Sequence, residues 1–161
     1  MYAVGDKVVH PMHGAGIIEE IKEIEIVGNK RQYYTVRFAM GNMSANIPVE
    51  NSDNIGIRGI IEKTEAKKVL ECFRDLPVTD DNNWNKRQRD NLVKIKSGDI
   101  YQVLSVLKDL MFREKTKGLS TSERKTLGSA RQIVISELIL TSVAEVGDIE
   151  SIMNDTIEAL I

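Results

Sequence analysis

The chain holds one cysteine, one tryptophan and two histidines in 161 residues, and each scarcity excludes something. Cys72 cannot close an internal disulfide, which suits a reducing cytoplasm. Its place in an apolar helical segment marks it as a structural thiol rather than a reactive one. No apolar run approaches the roughly 20 residues a membrane span needs. The N-terminus enters a strand-like pattern at Val4-Gly5-Asp6 without the profile of a signal peptide. His10 and His13 flank a proline and precede a glycine, but no cysteine or acid stands at ligand spacing beside them, so they read as a turn-shaping pair and not a metal site. Serines occur without a nucleophile elbow or a base, and Gly14-Ala15-Gly16 is too short to cradle a phosphate. Paired acids such as Glu19-Glu20 look like a solvated face. The sequence thus argues against an enzyme and implies no cofactor. What remains is 42% hydrophobic and 29% charged, an ordinary soluble composition, with no repeats. Formal net charge is -2, so contact with nucleic acid would need a local basic patch.

The chain changes character near residue 60. Before it, Val4–His10, Ile17–Val27, Tyr33–Phe38 and Ser44–Val49 read as short strands. Turns are expected at Pro11–Gly16, at Gly28-Asn29-Lys30 and at Met40-Gly41-Asn42. That is a small bent sheet of the SH3 or Tudor kind, suited to protein contacts through an exposed edge. After it, periods of three and four dominate. Helices are expected at 64–74, at 82–99, after Asp99, after the capping box Ser120-Thr121-Ser122-Glu123, and at 149–160 following Gly147-Asp148. The expected class is α+β: a small β domain over 1–60 and a five-helix domain over 61–161.

The most informative stretch is Asn82 to Asp99. Asp80, Asp81 and the asparagines can cap the start of its helix, and Gly98 can take the left-handed turn past its end. Leu92 and Ile95, helped by Val93, are expected to form its apolar contact face. A tryptophan ordinarily anchors a core, but Trp84 stands at the helix mouth, apart from that face and among polar and basic neighbours. A ring presented beside cations suits a surface that holds phosphates and stacks on a base. Charge is also segregated. Lys86, Arg87, Arg89, Lys94 and Lys96 outnumber Asp90 and Asp99, while Arg113, Lys115, Lys117, Arg124, Lys125 and Arg131 outnumber Glu114 and Glu123. From Glu137 onward only acids occur. Two basic segments in one bundle, one bearing an exposed tryptophan, point toward DNA.

Three stretches carry a family resemblance: Gly5-Asp6-Lys7-Val8-Val9-His10-Pro11-Met12-His13-Gly14-Ala15-Gly16, Asn83-Trp84 through Ser97-Gly98-Asp99, and Gly118-Leu119-Ser120 to Ala130-Arg131-Gln132. Together they resemble the CarD family of bacterial transcription regulators. The first is shared with the polymerase-binding module of transcription-repair coupling factor. The resemblance implies a Tudor-like domain on the RNA polymerase β subunit and a helical domain on promoter DNA. The tryptophan would wedge into the minor groove at the upstream edge of the bubble and slow its collapse. Trp84 would be that wedge, with Lys86, Arg87, Arg89, Arg124 and Lys125 on DNA. On the polymerase side stand Ile26, at an apolar contact position, and Ile24 and Asn46, where well-known relatives carry arginine. A cytoplasmic factor, monomeric when free, is the expectation. The alternative is a polymerase-binding adaptor whose helical bundle docks another protein through Trp84, without touching DNA.

Overall fold

The structure is a computed structural model that describes residues 1–79 and 81–161. It is α+β, as expected. The N-terminal part is one antiparallel sheet built from β1 (Lys7–His10), β2 (Gly14–Ile26), β3 (Asn29–Phe38), β4 (Ser44–Pro48) and β5 (Arg58–Gly59), in the spatial order β4-β3-β2-β1-β5. Between β4 and β5 runs a one-turn helix, α1 (Ser52–Ile55), which the sequence pattern did not suggest. Alternation along the strands sends Val8, Ile18, Tyr34, Val36, Phe38 and Ile47 into a core of their own. A register shift between Ile18 and Glu20 bends β2.

Two turns differ from the expectation. Gly14, Ala15 and Gly16 are strand residues paired with His10, Val9 and Val8, so the turn before them is only Pro11–His13. The β2–β3 hairpin closes through two residues, Val27 and Gly28, both at positive φ (50° and 78°), while Asn29 and Lys30 already pair in β3. That is the geometry of a type I′ turn. The histidines do shape the first turn: His10 Nδ1 accepts from the Met12 amide at 3.0 Å, and the two rings lie 4.5 Å apart. Burial, helped by His13, pushes the His10 imidazole down to about 4, so it stays neutral at physiological pH. Among the described residues no group of three metal-ligating side chains occurs.

The C-terminal part is a bundle of α2 (Lys63–Asp75), α3 (Trp84–Lys96), α4 (Ile100–Thr116), α5 (Thr121–Leu140) and α6 (Val146–Glu158). Its core, a second cluster, centres on α4 and α5 through Leu104, Leu107, Leu110, Ala130, Val134 and Leu138, with Phe73 and Ile149 from the flanking helices. The punctuation read from sequence holds at several ends. Asp99 accepts from the Tyr101 amide, Ser120 and Glu123 form a capping box, and Gly98 and Gly118 lie in the left-handed region. The last helix starts earlier than expected. Ser142, at φ 60°, makes the break, and Gly147 and Asp148 fall inside the first turn of α6. Lys108 is buried; it donates to the carbonyls of Arg74 and Leu76 at the end of α2, where the helix dipole favours a cation.

The sheet rests on α5. Gly14 touches that helix closely: a Cβ there would meet Ser136 Oγ at 2.5 Å, and its φ of 87° disfavours any side chain. Next to it the Ala15 amide donates to Ser136 Oγ at 2.8 Å, and Gln132 Nε2 donates to the His13 carbonyl at 2.9 Å. Across the same junction Arg58 of β5 forms two 2.7 Å hydrogen bonds to the fully buried Glu137 of α5. Its Nε donates to the carbonyl of Gly98, just past the end of α3. One arginine therefore joins the sheet to two helices of the bundle.

Candidate nucleic-acid interface and the outer face of the sheet

Helix α3 begins at Trp84, capped by Asn83, whose side chain accepts from the Lys86 amide at 3.2 Å. Asp81 Oδ1 in turn accepts from the Asn83 amide at 2.9 Å, and this bond holds the Asp81 carboxyl below its ordinary range. Asp80, also expected to help cap this end, lies outside the described residues. The face that α3 turns inward carries Arg87, Asn91 and Ile95, four residues apart along one stripe. Only Ile95 of these is apolar. Leu92 and Val93, expected to share the contact face with Ile95, lie instead on the outer side, 37% and 65% exposed. The inward stripe holds a charged residue and an amide, so the helix is rotated away from the orientation its aliphatic residues suggested.

That rotation assembles an apolar surface around the tryptophan. Trp84 is 43% exposed, and it lines an open groove of about 390 Å³ with Asn85, Gln88, Arg89, Leu92, Val93 and Lys96. Lys86 and Arg89 are exposed on the same helix, Lys86 with Asp81 3.6 Å away. The indole Nε1 donates to Ser120 Oγ at 3.2 Å. Ser120 caps α5, and Arg124 and Lys125 are exposed in the opening turns of that helix. The ring therefore stands between the basic outer face of one helix and the basic start of another.

Arg87 departs from the expectation that it joins this surface. It is 8% exposed, and its Nε and Nη2 donate to the two carboxylate oxygens of Glu123 at 2.7 and 3.0 Å, while Nη1 donates to the Asp81 carbonyl at 2.8 Å. A guanidinium committed this way ties α3 to α5 and turns no open face to a phosphate. The sequence already held the signal for its partner, because Glu123 is the acid of the capping box, but nothing local showed that the carboxylate would be shared. The Arg87 guanidinium also holds the Glu123 carboxyl below its usual range despite burial.

The sheet presents a separate surface. Cross-strand partners share a face, so the pairs Ile26–Asn29, Ile24–Arg31, Lys22–Tyr33 and Thr35–Asn46 set Ile24, Ile26 and Asn46 on the face away from the Tyr34–Ile47 core. Thr35 Oγ1 donates to Asn46 Oδ1 at 2.9 Å. Ile24 and Ile26 line a shallow groove with Val27, Asn29, Arg31 and Tyr33. Val27 is a residue that sequence reasoning missed: a β-branched side chain in the left-handed region, 95% exposed. The signal was its place before Gly28, where a two-residue hairpin normally carries asparagine or aspartate.

Two family descriptions match separate stretches of the chain. Residues 2–61 match the family description "CarD-like/TRCF RID domain", and residues 68–154 match "CarD, C-terminal domain". The chain is 38% identical over 138 residues to "Putative transcription factor YdeB" of Bacillus subtilis (strain 168), covering 86% of this chain and 90% of that protein. The shared opening motif, the tryptophan helix and the match of both parts lead to one assignment: the chain belongs to the CarD family of transcription regulators.

Proposed function

We propose that this protein is a non-enzymatic accessory factor that binds the RNA polymerase β subunit through the outer face of its sheet and promoter DNA through its helical domain. In this reading it stabilises the open complex by wedging Trp84 at the upstream edge of the bubble. The units would be residues 1–60 and 61–161, acting in the cytoplasm as a monomer brought to DNA by polymerase. The observation that carries the reading is the lone tryptophan, half exposed at a helix mouth with an apolar groove beside it and cations on both flanking helices. Leu92 and Val93 extend the apolar surface, Lys86 and Arg89 hold phosphate on one side, and Arg124 with Lys125 hold it on the other. Tethering supplies effective concentration, so the intrinsic affinity for DNA can be weak.

The electrostatic part has a direct test. Phosphate contacts carry no sequence information, and each releases about 0.9 counterion on duplex DNA. Reversing Arg124 and Lys125 to glutamate should weaken stabilisation at all promoters about equally and flatten the log–log salt dependence by about two. An unchanged slope would place these side chains in solvent and favour the adaptor reading.

The polymerase side is tested at Val27. A β-branched residue in the left-handed region costs about 1–2 kcal/mol, and at 95% exposure little packing within the chain offsets it. Val27→Asn should stabilise the sheet by about 1 kcal/mol in denaturant melts and weaken polymerase binding in a pulldown. Equal binding by the variant would remove the hairpin tip from the contact.

A further inference from the structure

The wedge reading leaves open how a half-exposed ring at a helix terminus keeps one orientation. Helix α3 has little apolar anchorage, because its inward stripe is Arg87, Asn91 and Ile95. The ring itself is an N-terminal residue of the helix, with the connector from α2 immediately before it. Something other than core packing must fix the indole. The hydrogen bonds around Ser120 supply it.

Ser120 Oγ receives two donors and gives one proton. It accepts from Trp84 Nε1 and from the Glu123 amide, each at 3.2 Å, and donates to Glu123 Oε1 at 3.2 Å. That carboxylate is buried and clamped by Arg87 from α3 at 2.7 and 3.0 Å. The path from indole to hydroxyl to carboxylate to guanidinium leaves α3, crosses the capping box of α5 and returns to α3 one turn beyond the ring. Every hydrogen-bonding site of the hydroxyl is used, so its direction is determined rather than free to rotate. The same capping residue opens the helix that exposes Arg124 and Lys125.

We infer that Ser120, held by the Arg87–Glu123 pair, is the positioning residue of the tryptophan: it fixes the indole and sets its register against the cations of α5. Here Arg87 acts through Glu123 and Ser120 and not on DNA. The inference rests on the wedge reading for its consequence in transcription, but the restraint itself is a property of the free protein. A pre-oriented ring does not have to lose rotational freedom when it meets DNA, and a ring released from Ser120 does.

The test uses the full chain and three variants, read well below the lowest melting temperature. Ser120→Gly removes the indole acceptor while keeping a residue that caps helices nearly as well as serine. Ser120→Thr keeps the hydroxyl. Asp99→Ala removes the cap of α4, which lies past the opposite end of α3 from the ring, and controls for loss of a cap as such. Because Trp84 is the sole tryptophan, its fluorescence anisotropy reports this ring alone. The expected result for Ser120→Gly is lower anisotropy and an open-complex lifetime shortened about two- to ten-fold, the range for one net hydrogen bond. Ser120→Thr should restore both, and Asp99→Ala should lower the melting temperature while leaving both unchanged. Unchanged anisotropy in Ser120→Gly, or equal losses in Asp99→Ala, would overturn the inference. Trp84→Ala separates the two claims. If removing the ring leaves the lifetime unaltered, the wedge reading fails, while the anisotropy of Ser120→Gly still decides whether Ser120 restrains the ring.

Discussion

Arg58→Met is expected to destabilise the protein by about 3 kcal/mol, the lower end of the range for breaking a buried ion pair from one side. The carboxylate it leaves behind is the reason. Glu137 is fully buried, and its two oxygens accept from Arg58 Nη1 and Nη2 at 2.7 Å and from the Ile61 amide at 2.9 Å. Without the guanidinium, that charge keeps a single backbone donor. Arg58 is 28% exposed on its side chain, so water can reach part of the vacated space, which keeps the loss from the upper end of the range. The double variant Arg58→Met/Glu137→Met should recover much of the loss, since replacing both partners removes the unpaired charge. Denaturant melts of the three chains check this, and additive losses in the double variant would show that the pair is not coupled. The function should respond too. Arg58 also holds the Gly98 carbonyl behind α3, so loosening it frees the tryptophan helix from the sheet that we propose rides on polymerase.

The second large effect is selective. Trp84→Ala should leave melting temperature and polymerase affinity close to wild type while removing most of the open-complex stabilisation. A fully buried tryptophan would cost about 3–5 kcal/mol on truncation, enough to unfold a marginal domain. Trp84 is 43% exposed, lies outside both buried clusters and stands at an open groove, with its indole donating to Ser120 at 3.2 Å. Its removal therefore opens little cavity. On the DNA side, a stacked ring is worth about 1–3 kcal/mol, or about five- to a hundred-and-fifty-fold in lifetime if the contact exists only in the open complex. Phe keeps a flat apolar face but cannot bond Ser120, so it should rescue in part. Lys adds charge without a ring and should not.

How much of this was legible in the sequence depended on whether the deciding contact was local. Caps and breaks are short-range, and Ser120-Thr121-Ser122-Glu123, Asp99 and Gly98 could be read directly. Ile24 and Ile26 were named through the family resemblance, and the strand register then sets both on one face, because period two is a property of the strand itself. The orientation of α3 was not legible. Leu92, Val93 and Ile95 looked like one apolar face, but the inward stripe beside Ile95 is held by Asn91 and by Arg87, which pairs with Glu123, 36 residues away. A sequence shows an arginine among arginines and cannot say which one a distant carboxylate will take. Arg58 and Glu137 were missed for the same reason, being 79 residues apart. The exposure of Trp84 was read correctly from its polar neighbours, whereas its tie to Ser120 required the fold.

The most direct test of the central claim is the decay of preformed open complexes after competitor is added, with no factor, with the wild-type chain and with Trp84→Ala, at saturating factor and fixed salt. The account predicts a longer lifetime with the wild-type chain and one close to the factor-free value with Trp84→Ala, although both chains bind polymerase equally. Equal stabilisation by the two chains, with the variant folded and bound, would contradict it.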